Sequence, residues 1–331
     1  LDLRSNPGGS LEEAVKFTGL FIKDGPVVQV RSPDMPPIVD ADNDSSVLYT
    51  GPLVVMVNRF SASAAEIAAA ALQDYGRAVI VGDISTHGKG TVQNLNQLRP
   101  FVWPATPSAT NDPGTVKITI RKFYRVTGAS TQLRGVASDI VLPSILNHST
   151  QVGEVALENA LPWDTIDPVK FDKLSLVQPY LAQLRTNSAA RVATNQDFVY
   201  IRQDIEQFEK LQLEKSATLN ERVALKEREA NDVRRKAREA EIEARPLPHE
   251  QIFELTVENS GHPGLPVPSP LLVTNSVAMG EVSGDNVQTN QIPPPKLVKS
   301  PLLRDPVLNE TENILEDYIA LMAGSQAQVA K

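Results

Sequence analysis

Two short segments hold the residue types that acyl transfer needs. Asn58-Arg59-Phe60-Ser61-Ala62-Ser63-Ala64-Ala65-Glu66 carries two serines, and His87-Gly88-Lys89-Gly90-Thr91-Val92-Gln93 carries a lysine between glycines. A serine hydroxyl is a weak nucleophile until a neighbouring base takes its proton, and a lysine serves as that base once burial disfavours its charge. Ser63 and Lys89 are therefore a candidate nucleophile and base, with Ser61 competing two residues earlier. Gln93, four residues past the lysine, is placed to hydrogen-bond and orient the amine. The turn Pro7-Gly8-Gly9 offers unobstructed backbone N–H groups for a developing oxyanion, and the Ala64 amide beside the nucleophile is a natural second donor.

Other chemistries fit less well. Ser63-x-x-Glu66 is also a capping box, in which the serine merely caps a helix. Neither serine lies in a G-x-S-x-G elbow, and Glu66 stands where S-x-x-K would need lysine. A phosphate-binding loop requires glycine five positions before the Gly-Lys pair and Ser or Thr after it; Asp83 and Gly90 occupy those positions. His87 leaves a Ser–His pair as a further alternative. A single lysine in a glycine turn is ordinarily a surface residue.

The elements around these segments must hold them rigidly. Pro52–Val57 reads as a buried strand leading into a helix over 63–75, so Ser63 sits at a strand-to-helix junction beside free helix N–H groups. Ala78–Val81 is a second strand, ahead of the lysine segment. Upstream, Ser10-x-x-Glu13 caps a helix with the stripe Leu11, Ala14, Val15, Phe21 and Ile22, and Pro26–Arg31 is a strand followed by a polar loop to about Ser46. Gly114–Val126 alternates with Val116, Ile118 and Ile120 inward, and Asp139–Leu142 is a short strand. The alternation of strand and helix predicts an α/β fold with a largely parallel sheet and crossover helices.

Composition shifts after about Pro168. Asp197–Arg245 lacks Pro and Gly, mixes Glu, Lys and Arg, and keeps helical spacing through Ile201, Ile205 and Phe208, which predicts a solvated helical hairpin. Prolines punctuate 246–308, where Ile252–Val257 and Leu271–Val273 are candidate strands. Asn309–Met322 is amphipathic and predicts a closing helix.

At 331 residues the chain has room for at least two domains, and a net charge of −8 argues against nucleic acid as a partner. The absence of cysteine excludes disulfides, zinc–thiolate sites and cysteine nucleophiles, and His87, His148, His249 and His262 show no metal-ligand spacing, so neither metal nor cofactor is expected. Leu1-Asp2-Leu3-Arg4 reads as the inside of a strand, so the chain is expected to be a fragment of a longer protein.

The quoted segments also carry a resemblance. With Leu3-Arg4-Ser5-Asn6-Pro7-Gly8-Gly9, Gln73-Asp74-Tyr75-Gly76-Arg77-Ala78, Lys122-Phe123-Tyr124-Arg125-Val126 and Gly135-Val136-Ala137-Ser138-Asp139-Ile140, the chain resembles the C-terminal processing peptidases of the tail-specific protease type. The likeness implies a mixed α/β core of the kind shared with Clp-protease and crotonase-like enzymes over 1–145, and a mainly helical C-terminal domain over 146–331. It places the nucleophile on Ser63, the base on Lys89, the supporting glutamine on Gln93 and the oxyanion donors on the Gly8 and Ala64 amides. The implied activity is endoproteolysis, in the Gram-negative periplasm, of proteins chosen by an apolar C-terminal tail, with a lipoprotein adaptor as a partner. Signal peptide and PDZ domain would precede Leu1, which leaves an inactive fragment, or a scaffold whose helical domain binds proteins, as the alternative. His87 departs from the family pattern, which commonly has an aromatic there, and the loop before Lys89 is one residue longer than usual.

Overall fold

The computed structural model describes residues 1–101, 113–214, 218–246, 252–268 and 305–329. They fall into two compact units, Leu1–Leu213 with Glu310–Lys331, and Glu214–Asn309.

In the first unit the elements run α1 (Leu11–Gly19), β1 (Gly25–Arg31), β2 (Ile38–Asp42), β3 (Val54–Val57), α2 (Ala64–Asp74), β4 (Val79–Gly82), β5 (Thr91–Gln97), β6 (Thr115–Tyr124) and β7 (Ile140–Val141). Helices α3 (Leu181–Thr194) and α4 (Gln196–Glu214) follow. This is an α/β core succeeded by helices, as expected. Strands β3, β4 and β7 form a parallel sheet, and Leu1–Leu3 lies alongside β3 through a parallel bridge between Asp2 and Met56.

Among the described residues, parallel pairing is confined to that sheet. The other, ordered β2-β1-β6-β5, is antiparallel throughout. Its β2 lies in what the sequence presented as a polar loop. It is an edge strand paired to β1 alone, exposed at Ile38 and Val39 and half-buried from Asp40 to Asp42, a pattern that composition alone reads as loop.

A further correction concerns β6. Val116, Ile118 and Ile120 are not inward but 36, 45 and 38% exposed. Their stretch of β6 pairs with β5 alone, and only the end reaching β1, at Phe123 and Tyr124, is buried.

One core serves both sheets. Val27, Val28 and Val30 of β1, Val55 and Val57 of β3, Ile67 and Ala69–Leu72 of α2, Ile80, Phe123 and Val136 belong to the same buried cluster. Alanine lets α2 approach the strands closely while Ile67 and Leu72 fill the space between. Arg125 clamps the far end of α2, donating from Nε to Asp74 Oδ2 at 3.0 Å and from Nη2 to Gln73 Oε1 at 2.9 Å. The start of the helix, where Ser63 stands, is thus the end of a rod fixed at its other end.

Helix α3 is joined to α6 (Pro306–Val329) by Arg191, whose Nη2 lies 2.9 Å from Glu310 and whose Nη1 lies 2.7 Å from Asp317. In the second unit, α5 (Glu221–Ala244) has no buried residue and carries charge pairs such as Arg235 with Glu239. Ile252–Val257 forms no strand. Leu271–Val273 lies outside the described residues.

Candidate active site

Ser63 follows β3 by a five-residue turn, and everything in that turn is tied down. Asn58 Oδ1 accepts from the Ser5 and Phe60 amides at 2.8 and 3.0 Å. Arg59 N–H donates to Asp83 Oδ2 at 2.8 Å, across the end of β4. Ser61 is fully buried, donating from Oγ to the Leu3 carbonyl at 2.8 Å and accepting from the Asn58 amide at 2.9 Å. That serine has no access to a substrate. It braces the turn instead. Ser61→Ala is expected to cost about 1–3 kcal/mol of stability, by leaving the Asn58 amide without its acceptor and the Leu3 carbonyl with the Asn6 amide alone, while activity at a permissive temperature stays near wild type; denaturant unfolding beside a cleavage assay checks both.

Ser63 itself is half-buried and sits at φ +57°, ψ −115°. An ordinary N-cap is extended with negative φ, and a side chain at positive φ costs energy that the surroundings must hold in place. The capping box predicted from Ser63-x-x-Glu66 is therefore drawn into a sharp elbow, the backbone shape that lifts a nucleophilic side chain off a sheet. Gly8 completes the elbow from the other side. It has φ +92°, and a Cβ there would stand 2.7 Å from the Ala62 carbonyl, the Ala64 nitrogen and the Ser63 Cβ alike. Only glycine fits so close to the serine.

The two candidate oxyanion donors differ in state. Ala64 N–H is the first of α2 and has no intrahelical acceptor. Gly8 N–H donates to Asn6 Oδ1 at 2.9 Å, so this donor is engaged by a neighbouring side chain.

Lys89 arrives in the same region on a loop between β4 and β5. Gly88 and Gly90 lie against the backbone of Leu133 and Gln132, closely enough that a Cβ would clash at 2.9 and 2.7 Å. The two glycines let the loop approach that neighbour closely. The lysine is half-buried, and its ammonium is held below its ordinary pKa by burial and by Lys117, against the opposing pull of Glu154 and Glu66. A base that must be neutral to work is favoured by that environment.

No hydrogen bond joins Lys89 Nζ to Ser63 Oγ. Gln93 does not reach the lysine either: its Nε2 donates to Thr91 Oγ1 at 3.3 Å, just past an irregularity in the β5–β6 register. His87 is directed toward Glu154, with Nδ1 3.7 Å from its carboxylate, and makes no hydrogen bond with Ser63.

What does join the two halves is Glu66, which the sequence marked only as half of a capping box. It is fully buried, and its Oε2 accepts from the Ser63 amide at 2.8 Å and the Lys89 amide at 3.0 Å. Its Oε1 accepts from Gly88 N–H at 2.7 Å and Thr86 Oγ1 at 2.5 Å. One carboxylate therefore fixes the backbone of the candidate nucleophile to that of the candidate base. Burial pushes its pKa up to about 7, against the pull of the four donors. The box was legible as a spacing; the arrival of the 86–89 loop at its carboxylate was not.

Residues 1–142 match the family described as Peptidase family S41, and residues 148–320 match the C-terminal domain of tail specific protease (DUF3340). The chain belongs to the tail-specific protease branch of the C-terminal processing peptidases. Among curated members it is 41% identical over 238 residues to the tail-specific protease of Haemophilus influenzae, covering 71% of this chain and 33% of that one. It is 36% identical over 142 residues to the carboxy-terminal processing protease CtpA of Bacillus subtilis, covering 42% and 27%. Among solved structures, the photosystem II D1 C-terminal processing protease aligns with a TM-score of 0.35 at 29% identity, covering 43% of this chain and 33% of that one. This family member spans about a third of the length of the curated relatives it matches.

Proposed function

We propose that this chain is the catalytic core and C-terminal domain of a serine endopeptidase that uses Ser63 as nucleophile and Lys89 as general base. The observation that carries this reading is the strained Ser63 elbow, bound through Glu66 Oε2 to the amide of Lys89. In the reaction, neutral Lys89 takes the hydroxyl proton while Ser63 Oγ attacks the scissile carbonyl. The oxyanion so formed faces the Ala64 and Gly8 amides. Collapse passes the lysine's proton to the leaving amine and leaves an acyl-serine, which water attacks with Lys89 again as base, freeing the new C-terminus. Gln93 steadies the amine in the working state. Two adjustments precede attack: the Ser63 and Lys89 side chains must meet, and Gly8 N–H must leave Asn6 Oδ1. The present arrangement corresponds to a resting state, and it favours low activity for this chain by itself.

The substrates proposed are periplasmic proteins with apolar C-terminal tails, brought by a lipoprotein adaptor; the family resemblance supports this reading. Two substrates identical except for an apolar or an acidic final pentapeptide test it with the full-length protein. The apolar tail is expected to raise kcat/KM at least tenfold, about 1.4 kcal/mol. Equal rates, or confinement of the protein to the cytoplasmic fraction of its cells, would refute it.

A further inference from the structure

Glu66 grips the lysine loop from one side, and a second buried carboxylate grips it from the other. Gly90 N–H donates to Gln132 Oε1 at 2.7 Å, and Gln132 Nε2 donates to Glu154 Oε1 at 3.0 Å. Both side chains are buried. Glu154 N–H donates to the His87 carbonyl at 2.9 Å, and Glu154 Oε2 lies 3.7 Å from His87 Nδ1, a buried nitrogen without a hydrogen-bond partner. Two residues earlier, the Val152 carbonyl accepts from Arg59 Nη2 at 2.7 Å, while Arg59 Nη1 donates to the Thr86 carbonyl at 3.1 Å. A Cβ on Gly153, at φ +97°, would lie 2.6 Å from Arg59 Nη2 and 2.9 Å from the His87 carbonyl. Val152-Gly153-Glu154 is thus built into the loop that carries Lys89. These three residues belong to the part of the chain that matches the C-terminal domain of tail specific protease.

We propose that Glu154 is a positioning residue for Lys89, through which the start of the C-terminal domain holds the lysine loop in register and sets the charge around it. The proposal rests on Lys89 being the base. Mechanically, Glu154 fixes Gln132, and Gln132 holds the amide next after Lys89. Electrostatically, Lys89 is surrounded by Lys117 from β6, Glu66 from α2 and Glu154 from the turn Glu154–Ala156, with His87 on its own loop, and Arg59, from the turn between β3 and α2, acts on His87. Glu154 is the counter-charge common to Lys89 and His87. It raises the proton affinity of both, against burial and the neighbouring cations. Removing its charge therefore lowers the affinity of both groups, and a base that loses its proton more readily works at lower pH.

The test uses the full-length protein and compares wild type with Glu154→Gln, Glu154→Ala, Ser63→Ala and the exposed control Glu158→Gln. Glu154→Gln keeps an acceptor for Gln132 but no charge. It is expected to hold the kcat/KM plateau within about threefold while its acidic limb moves about half a unit to lower pH. The His87 titration, followed by NMR, moves the same way. Glu154→Ala is expected to lower the plateau kcat about tenfold with KM near wild type. An acidic limb unmoved in Glu154→Gln, or a uniform loss at every pH, would overturn the proposal, as would a wild-type profile in Glu154→Ala. Wild-type rates in Ser63→Ala would instead overturn the dyad, and the NMR titration of His87 would then report on Glu154 separately.

Discussion

Ser63→Ala and Lys89→Ala, each made in the full-length protein, are expected to reduce cleavage of an apolar-tailed substrate by at least 10⁴-fold, to the rate of the assay blank. The magnitude follows from the division of labour: without Oγ no acyl intermediate forms, and without the amine no group takes its proton. The effect should appear in kcat, with substrate binding retained, so an inactive Ser63→Ala protein should still retain an apolar-tailed substrate on a column. Both variants should unfold at wild-type denaturant concentrations to within about 1 kcal/mol, because neither side chain makes a hydrogen bond that holds the fold. Lys89→Arg should be as inactive as the alanine variant, since a guanidinium does not give up its proton. The pH profile supplies an independent check. Activity should rise with pH as the ammonium deprotonates, and should reach half its plateau below the ordinary lysine range, because burial and Lys117 hold the amine there. Substantial cleavage by either alanine variant would end the assignment. Transfer of the acidic limb to His87, shown by its loss in a His87→Phe variant, would replace Lys89 with a Ser–His pair.

How much of this arrangement could be read beforehand depends on whether each feature is local. The strand-to-helix junction at Ser63 was legible, because an apolar run followed by an alanine-rich segment changes period within a few residues. The positive φ of Ser63 was not, since the elbow is packed against Gly8, more than fifty residues away in the chain. Ser61 and Ser63 are equivalent as residue types. What separates them is that Ser61 faces inward to the Leu3 carbonyl. The apolar alternation of Val116, Ile118 and Ile120 gave the strand correctly and its burial wrongly, because periodicity reports which residues share a face and says nothing of what covers it. Gln93 was placed as an orienter by a four-residue interval from Lys89, yet an irregular register begins one residue earlier and its side chain turns to Thr91. Glu154 offered no signal at all: it is 65 residues from the lysine and belongs to no motif.

Glu66→Gln should produce the second large effect, and its cause is the count of donors. Four groups donate to the carboxylate, two to each oxygen. An amide in its place presents one oxygen and one NH₂. Whichever way it turns, one pair of donors faces another donor: Thr86 and Gly88, or Ser63 and Lys89. Thr86 can rotate its hydroxyl away, so the amide nitrogen settles on that side and leaves Gly88 N–H unpaired. Leaving one or two buried donors unsatisfied costs about 2–4 kcal/mol of stability. It also loosens the loop that delivers Lys89, so kcat should fall about 100-fold with a smaller change in KM. The pH dependence of folding carries a signature of its own. The folded carboxyl titrates near 7 against an ordinary 4.5, so between those values the folded state binds the proton more tightly than the unfolded chain does. Stability from this group is therefore full below about 4.5 and is lost as pH rises toward 7, by at most about 3 kcal/mol. Denaturant midpoints measured from pH 4.5 to 7.5 should fall less steeply in Glu66→Gln than in wild type. Parallel curves would show that Glu66 is ionised across the whole range, its four donors outweighing its burial. The carboxylate would then be a permanent tie between nucleophile and base, with no protonated form to release them.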